Sequence, residues 1–290
     1  MRKRNWLLLL LIALCLVVFE RYQAYTAATT DSTPPVIHIP SQPLELSVNA
    51  PKGILLQDVT AEDDVSGDVT HSVILENIRL INRDGRVSVS YAAFDSSGNV
   101  AKAQREVQYN NYRSPRFIMS GPLLYSSGKG FDVLNQVGAK DSVEGDISHR
   151  VRAIPIEDTT LSSVGIHMVK FQVTNALGDT TTTLFPVEIY SSDAYDAILT
   201  LKEYLIYLPT GGIFNARFYP DTFTFRNSTV ELGNTLPAGY TLEIDGEVDT
   251  ATPGVYPVTY TLFYIEKNET TQKVINEYIG CSKLIVVVEG

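Results

Sequence analysis

Cysteine is nearly missing from this 290-residue chain, which has two. Cys15 lies in an N-terminal apolar run, so Cys281 is alone in the rest and no internal disulfide can form there. Stability must therefore come from packed cores rather than cross-links. Cys281 flanks the last strand-like run, where a small buried thiol is the simpler reading and an intermolecular disulfide the other. Basic residues are scarce as well. Beyond residue 19 the chain carries 20 basic and 33 acidic residues, a net charge of −13, and no Lys/Arg cluster follows Arg4. Such a body repels phosphates, which excludes nucleic acid as a partner. Catalytic signatures are also lacking. No G-x-S-x-G, H-E-x-x-H or phosphate-binding glycine loop occurs, so the sequence is expected to be non-enzymatic and without an organic cofactor.

Apolar residues, by contrast, are ample. They make up 44% of the chain, with 16 Tyr and 11 Phe, enough for packed cores over two or three domains. Three basic residues precede an uninterrupted apolar run from Trp6 to Phe19, the pattern of an export signal. Fourteen helical residues span roughly 21 Å, short of a roughly 30 Å hydrocarbon core, which suits a cleaved signal. The polar stretch ERYQAYTAA after it pushes the best small-residue site, Thr26-Ala27-Ala28, far downstream, which suits an uncleaved anchor. The protein is expected outside the cytoplasm, held to the membrane by residues 6–19 or secreted after cleavage.

From Pro34-Pro35, where folded structure is expected to start, the chain alternates apolar and polar residues between Gly, Pro, Asn and Asp, the mark of short antiparallel strands. In RVSVSYAAFD, Val87, Val89 and Tyr91 alternate with Ser88 and Ser90, and DSSGN (Asp95 to Asn99) makes a hairpin turn. The order recurs 80 residues later, with Asn175 and Gly178 in the places of Asp95 and Gly98. An opening element recurs three times, as GILLQDV, GFDVLNQV and GIFNARF. The segment AYDAILTLKEYLIYL fits both periods, and its position favours a kinked strand. The expected fold is all-β: tandem β-sandwiches after an apolar signal or anchor helix over residues 1–28, with units at 34–110, 111–191 and a divergent 192–290. Short junctions at Asn110–Pro115 and Ser191–Asp193 favour a semi-rigid rod.

AEDDVSGDVTHSV (Ala61 to Val73) is repeated without a gap as AKDSVEGDISHRV (Ala139 to Val151). The pairing of DVSGDVT with the later FDSSGN hairpin resembles the Ig-like domains of bacterial surface proteins, of the hyalin-repeat type and of the Ig-like repeat found in pesticidal crystal proteins. The resemblance covers residues 34–190; the third unit has FYPDTFTFRN where the acidic motif should be. It implies extracellular, non-catalytic modules that act as spacers or binding domains.

The acidic loop has two readings. As a metal site, Asp63 and Asp68 in the first copy, with Glu62 and Asp64 nearby, and Asp141 and Asp146 in the second, with Glu144, offer oxygen ligands suited to calcium, although the spacing is not that of an EF-hand. As turn chemistry, Gly67 and Gly145 adopt a left-handed conformation and Asp68 and Asp146 cap the turn before the next strand. His71 and His149 fall by alternation on one strand face with Val69 and Val73, and with Ile147 and Val151, where a hydrogen-bonded core histidine is expected. The favoured function is a surface spacer or binding rod whose partner is a surface protein or glycan. An adhesin or carbohydrate-binding module would use the aromatic residues of the third unit: Tyr204, Tyr207, Phe214, Phe218, Tyr219, Phe223 and Phe225. A glycan-acting enzyme with an acidic cleft between units is a further alternative.

Overall fold

The computed structural model describes residues 2–29, 31–155, 163–233, 235–268 and 272–290. They fall into two compact units, Met1–Asn111 and Tyr112–Gly290.

The first unit opens with helix α1 (Arg2–Thr29). The helix does not stop at Phe19, where the apolar run ends, because no Gly or Pro interrupts the polar residues that follow. Its large apolar side chains from Leu10 to Phe19 stand between 50% and 64% exposed. Among the described residues no helix is long and apolar enough to cross a membrane. The side chains of Leu7, Leu8 and Leu9, part of the expected anchor, lie outside that description.

Seven strands follow: β1 (Val36–His38), β2 (Leu44–Leu46), β3 (Thr60–Asp63), β4 (Gly67–Asp68), β5 (Ile74–Leu80), β6 (Arg86–Phe94) and β7 (Val100–Tyr109). They form two sheets, ordered β1-β3-β4 and β2-β7-β6-β5. The alternation in β6 is borne out, with Val87, Val89 and Tyr91 fully buried.

The second unit begins with a copy of this plan. Strands β8 (Arg116–Met119), β9 (Leu124–Ser126), β10 (Val137–Asp141), β11 (Gly145–Asp146), β12 (Arg152–Pro155), β13 (Gly165–Thr174) and β14 (Thr180–Tyr190) give sheets β8-β10-β11 and β9-β14-β13-β12. Each strand takes the place of its counterpart, including the parallel pairing of β9 with β14 that matches β2 with β7.

The last module has the same order of elements: β15 (Ala197–Leu201), β16 (Leu205–Pro209), β17 (Pro220–Phe225), β18 (Ser228–Glu231), β19 (Tyr240–Asp245), β20 (Gly254–Lys267) and β21 (Val274–Glu289). The ambiguous segment is thus two strands with a break at Lys202–Tyr204. Here β21 is 16 residues long and pairs with β15 at Gly280–Cys281 and with β16 at Ile285–Glu289. That double pairing joins what are two sheets elsewhere into one of seven strands.

The recurrent opening element is a short 3-10 turn in every module, at Lys52–Leu56, Val133–Asn135 and Ala216–Phe218. A buried tyrosine hydroxyl needs an acceptor, and this turn supplies one. Tyr91 donates to the Leu55 carbonyl at 2.7 Å and Tyr260 to that of Ala216 at 2.9 Å. Phe171 stands at the matching position of the second module, where it packs against Phe117 and Phe185 instead.

The second and third modules share a core. Ile285, on β21, is buried in the cluster of Phe117, Phe171 and Phe185, with Leu205, Val255 and Val287 packed alongside. Tyr207 accepts a hydrogen bond from the Phe117 backbone N–H at 3.0 Å, and burial pushes its phenol pKa up to about 12. Arg116 pairs with Glu289 and lies over the Tyr207 ring. Lys283 is only 4% exposed and pairs with Glu188 of β14. Removing one member of such a pair leaves a buried charge without compensation. Glu188→Gln should destabilise the second unit by about 3 kcal/mol, read from its urea midpoint, and adding Lys283→Met should recover most of that loss.

Candidate functional site

Each acidic loop begins with an aspartate that organises the backbone after it. Asp63, at the end of β3, accepts the N–H groups of Val65 at 3.0 Å and Ser66 at 2.7 Å through Oδ2. Asp141 does the same for Val143 and Glu144, at 2.9 and 3.0 Å, through Oδ1. The hairpin then closes through Gly67 and Gly145, whose φ values of +72° and +76° strain any residue with a Cβ.

Asp68 and Asp146 serve the next turn. Asp68 Oδ1 accepts the Thr70 N–H at 2.9 Å, and Asp146 Oδ1 accepts both the Ser148 N–H at 2.9 Å and its hydroxyl at 2.6 Å. These bonds hold both exposed carboxyls below the usual aspartate range. They also curl the chain into the 3-10 turns Thr70–Ser72 and Ser148–Arg150. His71 and His149 therefore do not lie on a strand face: both sit in these turns, exposed to solvent, because a 3-10 turn repeats every three residues rather than every two.

Asp63 gathers two partners from distant segments. One carboxylate oxygen from each of Asp31, Asp63 and Asp95 lies within 4.8 Å of the other two. Asp31 follows α1 by two residues, ahead of the proline pair, so the folded structure starts earlier than the sequence suggests. Asp95 lies in the hairpin after β6, where Oδ1 accepts from Ser97 and Asn99 and Oδ2 from the Asn99 side chain at 2.7 Å. Burial works to raise the Asp95 pKa, but these bonds outweigh it and hold the carboxyl low. The Asn99 amide also reaches the carbonyls of Asp31 and Thr33, which pins the incoming strand. Two oxygens of the cluster remain buried with no hydrogen-bond partner among the described residues, Asp31 Oδ2 and Asp63 Oδ1. Asp63 as a whole is only 8% exposed. Asp68 takes no part in this cluster.

The second module fills the same place differently. Tyr112 stands for Asp31, Asn175 for Asp95 and Asp179 for Asn99. The Asn175 amide donates to Asp141 Oδ2 at 2.9 Å and to the Tyr112 hydroxyl at 3.0 Å, and that hydroxyl donates to Asp179 Oδ2 at 2.7 Å. Beside it, Glu144 forms a two-pronged pair with Arg150 and accepts the Ala176 N–H at 2.6 Å. Sequence reasoning did not find Asp31, Asp95, Asn175 or Tyr112 as members of these sites, although the 80-residue offset already aligned Asp95 with Asn175.

The aromatic residues of the third module are mostly core. Phe223 is fully buried, Tyr207 contacts the second module, and Tyr204, Phe214, Tyr219 and Phe225 pack against the central cluster. Phe218 is exposed, with the Lys202 ammonium 4.2 Å from its ring centre. Cys281 is partly buried, and that burial pushes its thiol pKa up, so it is held as the neutral thiol.

No protein-family model matches the chain, and no curated protein matches it. Similar solved structures include the CBM51-2 and INT domains of Clostridium perfringens ZmpB in complex with GlcNAc (13% identity, 88% of this chain and 42% of that one, TM-score 0.22). A lipoprotein of Bacteroides thetaiotaomicron matches at 15% identity over 57% of this chain and 80% of that one, with a TM-score of 0.22. Mouse Cadherin-23 EC22-24 matches at 12% identity over 89% of this chain and 99% of that one, with a TM-score of 0.21. The chain spans less than half the length of the ZmpB chain. At these scores none of the likenesses bears on what this chain does.

The Glu144 carboxyl titrates below its usual range: burial opposes this, but the Arg150 and Ala176 hydrogen bonds prevail. A depressed carboxylate stabilises the fold fully above its unfolded pKa of about 4.3, and that stability is lost as pH falls through the lower folded value. Glu144→Gln should therefore flatten the decline of the thermal midpoint between pH 5 and 3, compared with the native chain.

Proposed function

We propose that this is an exported, non-enzymatic surface protein whose β-sandwich modules, of the bacterial Ig-like type, act as a spacer or binding stalk. The observation that carries this reading is the core shared by the second and third modules. Ile285 buried among Phe117, Phe171 and Phe185, together with the Lys283–Glu188 pair, fixes two successive modules as one stiff body. A spacer needs stiffness between modules more than it needs a cleft. The exposed apolar run of α1 from Leu10 to Phe19 supports an export signal or tether, since such a run requires an apolar environment. The partner of such a stalk is a surface protein or a glycan. A carbohydrate-binding role for the third module is the weaker reading, because its aromatic residues are largely committed to the core.

The test is fractionation of cells producing the full chain with a C-terminal epitope, followed by protease treatment of intact cells. The epitope should appear in the membrane fraction or the medium, and cell-associated protein should be digested from outside. An epitope that stays soluble inside the cell and protected from protease would overturn the reading.

A further inference from the structure

We propose that Asp31, Asp63 and Asp95 form a calcium site on the first module, and that the second module replaces this ion with a hydrogen-bonded network of its own side chains. This goes beyond the surface role, and the site stands whatever the stalk binds.

Three carboxylates from separate segments converge within 4.8 Å, and each already spends one oxygen on backbone N–H groups: Asp31 on Thr33, Asp63 on Val65 and Ser66, Asp95 on Ser97 and Asn99. The other oxygens are Asp31 Oδ2, Asp63 Oδ1 and Asp95 Oδ2, of which Asp95 Oδ2 also accepts the Asn99 side-chain amide at 2.7 Å and keeps a second lone pair. Two of those, Asp31 Oδ2 and Asp63 Oδ1, are buried without a partner among the described residues, and Asp63 is more than nine-tenths buried. A buried, ionised oxygen left without a proton donor or cation is costly, and three together repel one another. An all-oxygen set calls for a hard cation. Calcium holds oxygens at about 2.3–2.6 Å, so ligands across it sit up to roughly 5 Å apart, and it accepts an irregular shell completed by water. Magnesium demands a tighter octahedron.

The second module provides an internal control. Its aspartate at the same strand end, Asp141, binds its loop as Asp63 does, yet its remaining oxygen accepts from the Asn175 amide. The Asn175 amide and the Tyr112 hydroxyl stand where the first module has the Asp95 and Asp31 carboxylates. In the second module an amide proton satisfies the remaining oxygen of Asp141; in the first, the Asn99 amide reaches Asp95 alone of the three carboxylates, and the unpartnered oxygens of Asp31 and Asp63 are left for a cation. Because Asp31 comes two residues after α1, the ion ties the chain leaving that helix to the top of the first module.

The experiment uses the full chain, stripped of metal and heated in chelator, in 10 mM calcium and in 10 mM magnesium. Calcium should raise the transition of the first module by about 5 °C or more over chelator. Asp31→Asn and Asp95→Asn should each abolish most of that shift, whereas Asp68→Asn, which alters only the turn cap, should retain it. Asp31 lies outside the strands, so its variant should still fold. As a second readout, calcium should slow limited proteolysis between Thr26 and Thr33 in the native chain by tenfold or more. No shift in the native chain, an unchanged shift in Asp31→Asn, an equal response to magnesium, or cleavage indifferent to calcium would each overturn the proposal.

Discussion

A carboxylate buried at the end of a strand is the constraint on which both loops depend. Asp63 and Asp141 fix their hairpins by accepting two backbone N–H groups each. The rest of each carboxylate then faces inward, where water does not reach it. The two modules answer this shared problem in opposite ways, one with an amide and a hydroxyl, the other with two further acids. Loops that share an acidic motif therefore do not imply identical chemistry. The difference lies in residues about 30 positions away.

The same economy of plan governs the modules. The strand order occurs three times, and the 3-10 turn at the opening element recurs with it. The third module departs from the plan at one strand. By pairing with both β15 and β16, the long β21 closes the gap between two sheets, and its far half places Ile285 and Lys283 against the second module. One long strand thus does two jobs, and the stiffness of the second unit follows from it.

Much of this was legible in the sequence because it is local. Alternation placed Val87, Val89 and Tyr91 in the core, and the glycines of the acidic loops and hairpins marked the turns that form. Turn chemistry for Asp68 and Asp146 was likewise readable from their position beside Gly67 and Gly145. The histidines misled, because Val-x-His-x-Val alternates as a strand would while the preceding aspartate curls it into a 3-10 turn. Asp31 was not legible as part of a site: it sits in a Thr/Ala/Ser spacer, and only the fold brings it to Asp63. Nor could local pattern show that one β21 joins two sheets, since that depends on pairing between segments some 80 residues apart.

The central claim is that two loops alike in sequence differ in their need for a cation. Counting bound calcium ions per full-length chain by calorimetric titration of metal-free protein addresses it most directly. The account predicts one ion per chain, bound by the first module alone. A count of zero would mean that the first cluster is neutralised in another way, and a count of two would mean that the Asn175–Tyr112 network does not substitute for the ion; either contradicts it.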